Sequence, residues 1–186
     1  MMEKIMFEVK KAIEYKGHVV IAIDGRAGAG KTTLANELAD LLCGEVVPMD
    51  HFFLPPELRT DDRLAEAGGN VHYERFFEEV CHGLAFKVPF DYGVFDCSQM
   101  KIATRRHIEN GRVVIVEGSY SQRPELRDFY DVRIFMDVEP EVQMDRIIRR
   151  NGAEMAERFK NLWIPLEEKY FEAFKIKENA DIVLKR

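Results

Sequence analysis

The sequence predicts a three-layer α/β/α fold built on a mostly parallel five-stranded sheet. Three observations carry that expectation. Short apolar runs of strand length alternate with stretches of helical periodicity. Those runs are nearly continuous in apolar residues, as strands covered on both faces are. One of them leaves through a glycine-rich turn straight into a helix pattern.

The elements follow in order. Residues 3 to 15 place Ile5, Met6, Val9, Ala12 and Ile13 at helical spacing, an amphipathic helix. His18 to Ile23 is the first strand. Residues 31 to 43 form a helix with Leu34, Leu38, Leu41 and Leu42 as its stripe and Gly44 as its stop. Val46 to Met49 is a second strand. From Asp50 to Arg106 the pattern loosens, with Pro55-Pro56, Gly68-Gly69, Pro89 and several aromatics. A helix over Tyr73 to Gly83, with Phe76, Phe77 and Val80 inward, and short strands within Phe86 to Ile102 are expected there. Arg112 to Glu117 and Asp131 to Val138 are further strands. Glu141 to Arg150 begins a helix after Pro140. Residues 153 to 175 are helical with an interruption near Pro165, and Asp181 to Leu184 is a terminal strand.

Length and composition bound the function. The 186 residues suit a single domain, 1–186, with residues of about 51–106 as an insertion that binds substrate. Apolar residues at 46% and charged residues at 32% give an ordinary globular balance. The net charge of −6 lacks the basic excess of a general nucleic-acid or membrane-surface binder, so neither partner is expected. Cys43, Cys81 and Cys97 are odd in number and scattered, which fits reduced thiols better than disulfides or a zinc site. Met1 to Lys11 interleaves charge with apolar residues, so no signal peptide is expected, and a cytoplasmic location is.

Residues 25 to 32 read Gly-Arg-Ala-Gly-Ala-Gly-Lys-Thr and fit G-x-x-x-x-G-K-[ST], the P-loop pattern. The chemistry needs each fixed position. Gly25 and Gly30 let the backbone turn tightly and approach a ligand without a Cβ, and Gly28 adds freedom. The amides of Arg26, Ala27, Ala29 and their neighbours through Thr33 then converge on phosphate oxygens. The following helix directs its positive end at the same place. Lys31 supplies a mobile charge for the β- and γ-phosphates, and the Thr32 hydroxyl is a ligand for Mg²⁺. ATP and Mg²⁺ are the expected cofactors. No Asn-Lys-x-Asp guanine-reading motif is present, and the chain is short for a motor protein.

Two acidic positions turn phosphate binding toward phosphoryl transfer. Asp50 stands just after the second strand, where a carboxylate can face the P-loop and take the proton of an attacking hydroxyl. A loop aspartate can also simply cap the next element. Glu117 ends an apolar strand before Gly118, the position from which a carboxylate holds Mg²⁺ directly or through water, alongside Thr32 and Asp50. His51 reads as packing or solvent-facing. Arg146, Arg149 and Arg150 share one helix face. They can close over a triphosphate as a lid of about 146–160, or sit in solvent paired with Asp145 and Glu141.

These pieces together resemble the uridine kinase–phosphoribulokinase group of P-loop kinases. The matching residues are Ile23 to Thr33, Met49-Asp-His-Phe-Phe53, Val114-Ile-Val-Glu-Gly118, Arg146-Ile-Ile-Arg-Arg150 and Ala180-Asp-Ile-Val183, in the expected order over nearly the whole chain. The resemblance implies the P-loop nucleoside triphosphate hydrolase fold, ATP with Mg²⁺, Asp50 as base, Glu117 near the metal and the arginines as a lid. Nicotinamide riboside and bacterial pantothenate kinases are similar at the same places. The acceptor region departs from the uridine kinase pattern. Where those enzymes carry Asp-His-Pro, this chain has Gly68-Gly-Asn-Val-His-Tyr73. Where they carry Tyr-Asp-Phe-x-x-His-Ser-Arg, it has Phe90-Asp-Tyr-Gly-Val-Phe-Asp-Cys97, with Phe95 in the histidine's place. The expected activity is therefore transfer from ATP to a hydroxyl of a small molecule. That acceptor can be a uridine- or cytidine-like nucleoside, or a pantothenate-, nicotinamide riboside- or sugar-type compound. Arg63, Asn70 and Tyr92 are candidate acceptor contacts. A nucleotide-binding regulatory module without an acceptor is the alternative of another class.

Overall fold

The structure is a computed structural model and describes residues 2–185. Its main sheet comprises β1 (Val19–Gly25), β2 (Glu45–Pro48), β5 (Val113–Glu117), β6 (Val132–Asp137) and β7 (Ile182–Lys185). They run in the order β2-β5-β1-β6-β7 with every neighbouring pair parallel. All seven residues of β1 and all five of β5 are buried, as strands at the centre of a doubly covered sheet must be.

Alternation along the strands sorts the core into two layers. Val19, Ile21, Ile23, Val113, Ile115, Ile134 and Met136 face helix α1 (Met2–Lys16) through Ile5, Val9 and Ile13. They face α2 (Lys31–Leu42) through Leu34, Ala35 and Leu38. Val20, Ala22, Val114, Val116 and Phe135 face the opposite layer of Phe52, Phe76, Tyr92, Tyr170 and Phe171. Leu41, read from the sequence as part of the α2 stripe, is 62% exposed, and Ala35 takes its place. Gly44 does not end α2 by a left-handed turn. Cys43 adopts that conformation (φ 51°), and Gly44 is small because a Cβ there would come within 3.0 Å of Val113.

The second strand stops one residue short of the expected Met49. The chain tightens there into a 3₁₀ turn, Met49–Phe52, which carries Asp50. The short helix α3 (Asp61–Ala65) follows. Then α4 (Tyr73–Phe76), a π turn (Phe77–Cys81) and α5 (His82–Phe86) run on as one rod. Phe77 opens the π turn and is 51% exposed rather than inward, lying edge-on to Phe129. Of the short strands expected within Phe86 to Ile102, β3 (Phe90–Asp96) falls there. Its antiparallel partner β4 (Lys101–Ile108) runs beyond that span, and the two form a hairpin, a sheet of its own. Its Tyr92 and Ile108 join Val114 and Val116 in one cluster, so the hairpin packs on the main sheet's core.

After β6 come α6 (Pro140–Asn151), α7 (Ala153–Arg158), a π turn (Phe159–Trp163) and α8 (Ile164–Phe174). Proline causes the interruption. Pro165 has no N–H to give to the carbonyl four residues back, and its ring would strike that carbonyl. Widening the preceding turn accommodates both defects without ending the helix. Among the described residues no helix is long and apolar enough to cross a membrane.

Candidate active site

The turn after β1 lies at the carboxyl end of the sheet, between β5 and β6, where the order of strands reverses. Its conformation requires glycine. Gly25 has φ +135°, and a Cβ there would stand 2.1 Å from the Met136 carbonyl oxygen of β6. Gly30 is left-handed (φ 90°) and leads directly into Lys31, the first residue of α2. The chain thus delivers Lys31, Thr32 and Thr33 as the first turn of a helix whose free N–H groups face the loop.

Lys31 Nζ spans this loop. It donates to the Gly25 carbonyl at 2.7 Å, to the Arg26 carbonyl at 3.0 Å and to Ser119 Oγ at 3.2 Å. The Thr32 hydroxyl stands 3.2 and 3.3 Å from the two carboxylate oxygens of Glu117. Glu117 ends β5 and pairs in register with Pro48 of β2, two residues before Asp50. Burial pushes the Glu117 carboxyl up. The neighbouring Asp50 pushes it further, while Lys31 and the Thr32 hydroxyl pull it back. Asp50 itself is exposed.

The oxygen donors here suit a hard divalent cation. A hydroxyl and a buried carboxylate face one another, with a second carboxylate close enough to be felt electrostatically. No cluster of three or more metal-ligating side chains occurs among the described residues. Mg²⁺ is usually held by one or two protein oxygens plus substrate phosphates and water, and Thr32 with Glu117 offers such oxygens.

Helices α6 and α8 hold the loop from outside. Gln143 donates to the Ala27 carbonyl and Arg146 to the Gly28 carbonyl, both at 3.0 Å. Glu167 accepts the Ala27 N–H at 3.0 Å and the Ser119 hydroxyl at 2.6 Å. The Arg26 guanidinium lies between Glu168 at 2.7 Å and Asp137 at 2.9 Å, so its side chain is spent on these acids. Within the loop, Ala27 and Ala29 are buried. Beneath them Asp24, wholly buried, accepts the Gly25 N–H at 2.7 Å. It also accepts the Gln122 N–H at 2.9 Å and the Tyr170 hydroxyl at 2.8 Å. Burial raises its pKa to about 6 against the pull of those bonds and of Lys31.

The three arginines of α6 part company. Arg146 reaches the P-loop. Arg149 is 78% exposed and pairs with Asp145 at 3.0 Å. Arg150 bonds Asn151 at 2.6 Å and lies over the Phe159 ring.

The acceptor candidates also have distinct settings. Arg63 gives both terminal nitrogens to Glu74 (2.6 and 2.8 Å). It bonds the Tyr73 hydroxyl and the carbonyls of Gly69 and Val71 as well. It is an internal strut of the insertion. Tyr92 is fully buried, stacked on Phe52, but its hydroxyl reaches His51 Nδ1 at 3.1 Å. Burial lowers the His51 pKa, Arg106 and Arg75 lower it further, and Asp50 opposes them. Asn70 accepts the Leu54 N–H through its carbonyl, and its side chain meets Tyr120. Cavities of about 390 and 420 Å³ lie elsewhere, beside Arg63 and beside Phe77.

Sequence reading missed Asp24, Ser119, Glu167 and Glu168. Asp24 and Ser119 had a local signal, since each sits beside a motif residue. Glu167 and Glu168 had none, because only the fold brings α8 to the loop.

The fold is that of the P-loop kinases. A candidate uridine kinase from Bacillus stearothermophilus superposes with a TM-score of 0.66 at 21% identity, over 97% of this chain and 99% of that one. A candidate fructose transport system kinase from Silicibacter sp. TM1040 superposes at 0.70 with 28% identity, over 89% of each chain. In sequence, the chain resembles the uridine kinases. It is 29% identical to the uridine kinase of Limosilactobacillus reuteri (strain DSM 20016) over 167 residues, 79% of this chain and 70% of the relative. No family model matches it.

Proposed function

We propose that this protein is an ATP-dependent kinase that transfers the γ-phosphoryl group to a hydroxyl of a nucleoside or related small metabolite. The observation that carries this is Thr32 facing Glu117 at 3.2 Å, at the mouth of the glycine loop and beside Asp50. Phosphoryl transfer asks little covalent chemistry of a protein. It needs an aligned nucleophile, a proton acceptor and positive charge around the transferred group. Asp50 takes the proton of the acceptor hydroxyl as the new O–P bond forms and the bond from Pγ to the β-phosphate oxygen breaks, releasing ADP. Lys31 leaves the loop carbonyls for the phosphates, and Arg146 is the lid arginine best placed to follow. Thr32 and Glu117, with Asp50, would hold Mg²⁺. The cation supplies charge neutralisation on the phosphate oxygens.

Two acceptor classes have support. The likeness to uridine kinases supports a nucleoside, and the likeness to the Silicibacter protein supports a sugar. A screen of nucleosides, sugars and vitamins with ATP and Mg²⁺, read by product mass, identifies it. Asp50→Asn should keep nucleotide affinity and lose about 10²- to 10⁴-fold in kcat on the true acceptor. Wild-type turnover by that variant would overturn the base assignment. Acceptor-independent hydrolysis alone would favour a regulatory nucleotide-binding module.

A further inference from the structure

The arginines around the acceptor side fall into two groups. Those that build the insertion are neutralised: Arg63 by Glu74 at 2.6 Å and Arg75 by Glu79 at 3.0 Å. Among the described residues Arg105 bonds only the Asp91 carbonyl, at 3.3 Å, and it alternates to the other face of the hairpin from Arg106. Arg59 and Arg106 are different. Both are exposed, and among the described residues neither forms an ion pair with Asp or Glu. The chain carries 33 acidic residues against 27 basic ones, so carboxylate partners are plentiful. Lacking a carboxylate does not itself set them apart, since among the described residues Arg112, Arg127, Arg146, Arg150 and Arg158 form no ion pair either. Their place does: Arg106 shares His51 with Asp50, and Arg59 shares Cys97 with it.

Their placement is specific. Arg106 lies directly across the hairpin from Tyr92, and opposite residues in an antiparallel pair share a face. The Tyr92 hydroxyl on that face reaches His51 at 3.1 Å, the residue next to Asp50, and the Arg106 guanidinium lies against the same hydroxyl. Arg59 approaches from the loop after Asp50. Its Nε is anchored to the Leu54 carbonyl at 2.7 Å, which leaves its two terminal NH₂ groups for another acceptor. Cys97, at the tip of the hairpin, feels both Asp50 and Arg59. Asp96 is also there, but its carboxylate is taken up by the Ser98 N–H and hydroxyl and by the Gln99 amide.

We infer that the acceptor carries an anionic group, a carboxylate or a phosphate, which Arg59 and Arg106 bind while its hydroxyl faces Asp50. Guanidinium groups bind both anions with charge-assisted, geometrically matched hydrogen bonds. A neutral nucleoside offers them neutral acceptors only, without that charge assistance. The inference rests on the kinase reading and narrows it.

The test uses matched acceptors with ATP and Mg²⁺: ribose against ribose 5-phosphate, panthenol against pantothenate, and uridine as a neutral reference. The charged member of one pair should have a kcat/KM at least about tenfold higher. The phosphate and carboxylate arms decide which anion it is. Arg106→Gln and Arg59→Gln should each erase about tenfold of that advantage, with Arg106→Lys intermediate and the ATP KM unmoved. Calorimetric titration of the ADP-loaded protein with the charged members gives a second readout. Uridine or the neutral members reacting as well as the charged ones would overturn the inference and leave the kinase standing. Binding of a charged member to the ADP-loaded protein with no product would keep the anion site and sink the kinase. Neither binding nor product would sink both.

Discussion

Asp24 shows what a single buried carboxylate can reveal. It stands wholly inside the protein under the phosphate loop, holding the Gly25 and Gln122 N–H groups and the Tyr170 hydroxyl. Those three bonds favour the ionised form, and so does Lys31, yet burial outweighs them and its pKa rises from 3.8 to about 6. A carboxyl raised on folding stabilises the fold most while protonated. Its contribution is full below about pH 4 and is lost as pH climbs through about 6. Asp24→Asn cannot titrate, so the wild type should lose stability relative to it across that window by roughly 3 kcal/mol. Urea denaturation of both proteins at several pH values measures the difference. A flat difference between pH 4 and 7 would mean the carboxyl is ionised throughout. The residue scale is also where sequence reading reached least far. Gly25 and Thr32 were legible because their chemistry repeats at fixed spacing. Glu167 was not, because its role depends on an α8 that is 140 residues from Ala27 along the chain.

Elements were more legible than contacts. All five sheet strands show in the sequence as apolar runs, most plainly β1 and β5, which are covered on both faces, while the edge strand β7 alternates buried and exposed residues. What the runs could not show is how closely the strands meet. Two glycines mark such meetings: Gly44, against Val113 of β5, and Gly25, against the backbone of β6. The hairpin was harder to read. β4 is exposed along nearly its whole length, so it lacks the alternation that a half-buried strand would print. The π turns lay beyond periodicity altogether, although Pro165 marked the place of one. Gly25 allows the element-scale argument to be tested. A methyl group there would stand 2.1 Å from the Met136 carbonyl, in a backbone conformation that L-residues rarely adopt. Gly25→Ala should therefore force β1 from β6 and cost more than about 2 kcal/mol of stability. Thermal or urea unfolding reads this directly. A variant as stable as the wild type would show that the β1–β6 contact yields easily.

At the scale of the whole molecule, the parts that meet the phosphate loop come from far apart in the chain. α2 begins in the loop, Glu117 ends β5, Asp24 is the last residue but one of β1, and α6 and α8 return from the last third of the sequence to hold it. The loop is therefore a junction, and whatever binds there is coupled to the packing of both layers. Lys31 now rests on two carbonyls of its own loop and on Ser119. A phosphate anion would draw it away and satisfy the amide N–H groups of the first helical turn in exchange. A ligand that binds only the folded state stabilises it by mass action, by about 2.7 kcal/mol at one hundred times its Kd. For a chain of this size that corresponds to a rise in Tm of roughly 5–10 °C. ADP with Mg²⁺ should produce such a rise in the wild type. Lys31→Ala should remove most of it while changing the Tm of the free protein little, because the lysine is only partly buried. Equal ADP shifts in the two proteins would place the nucleotide away from the loop, and with it would fall every role argued for Thr32, Glu117 and Asp50.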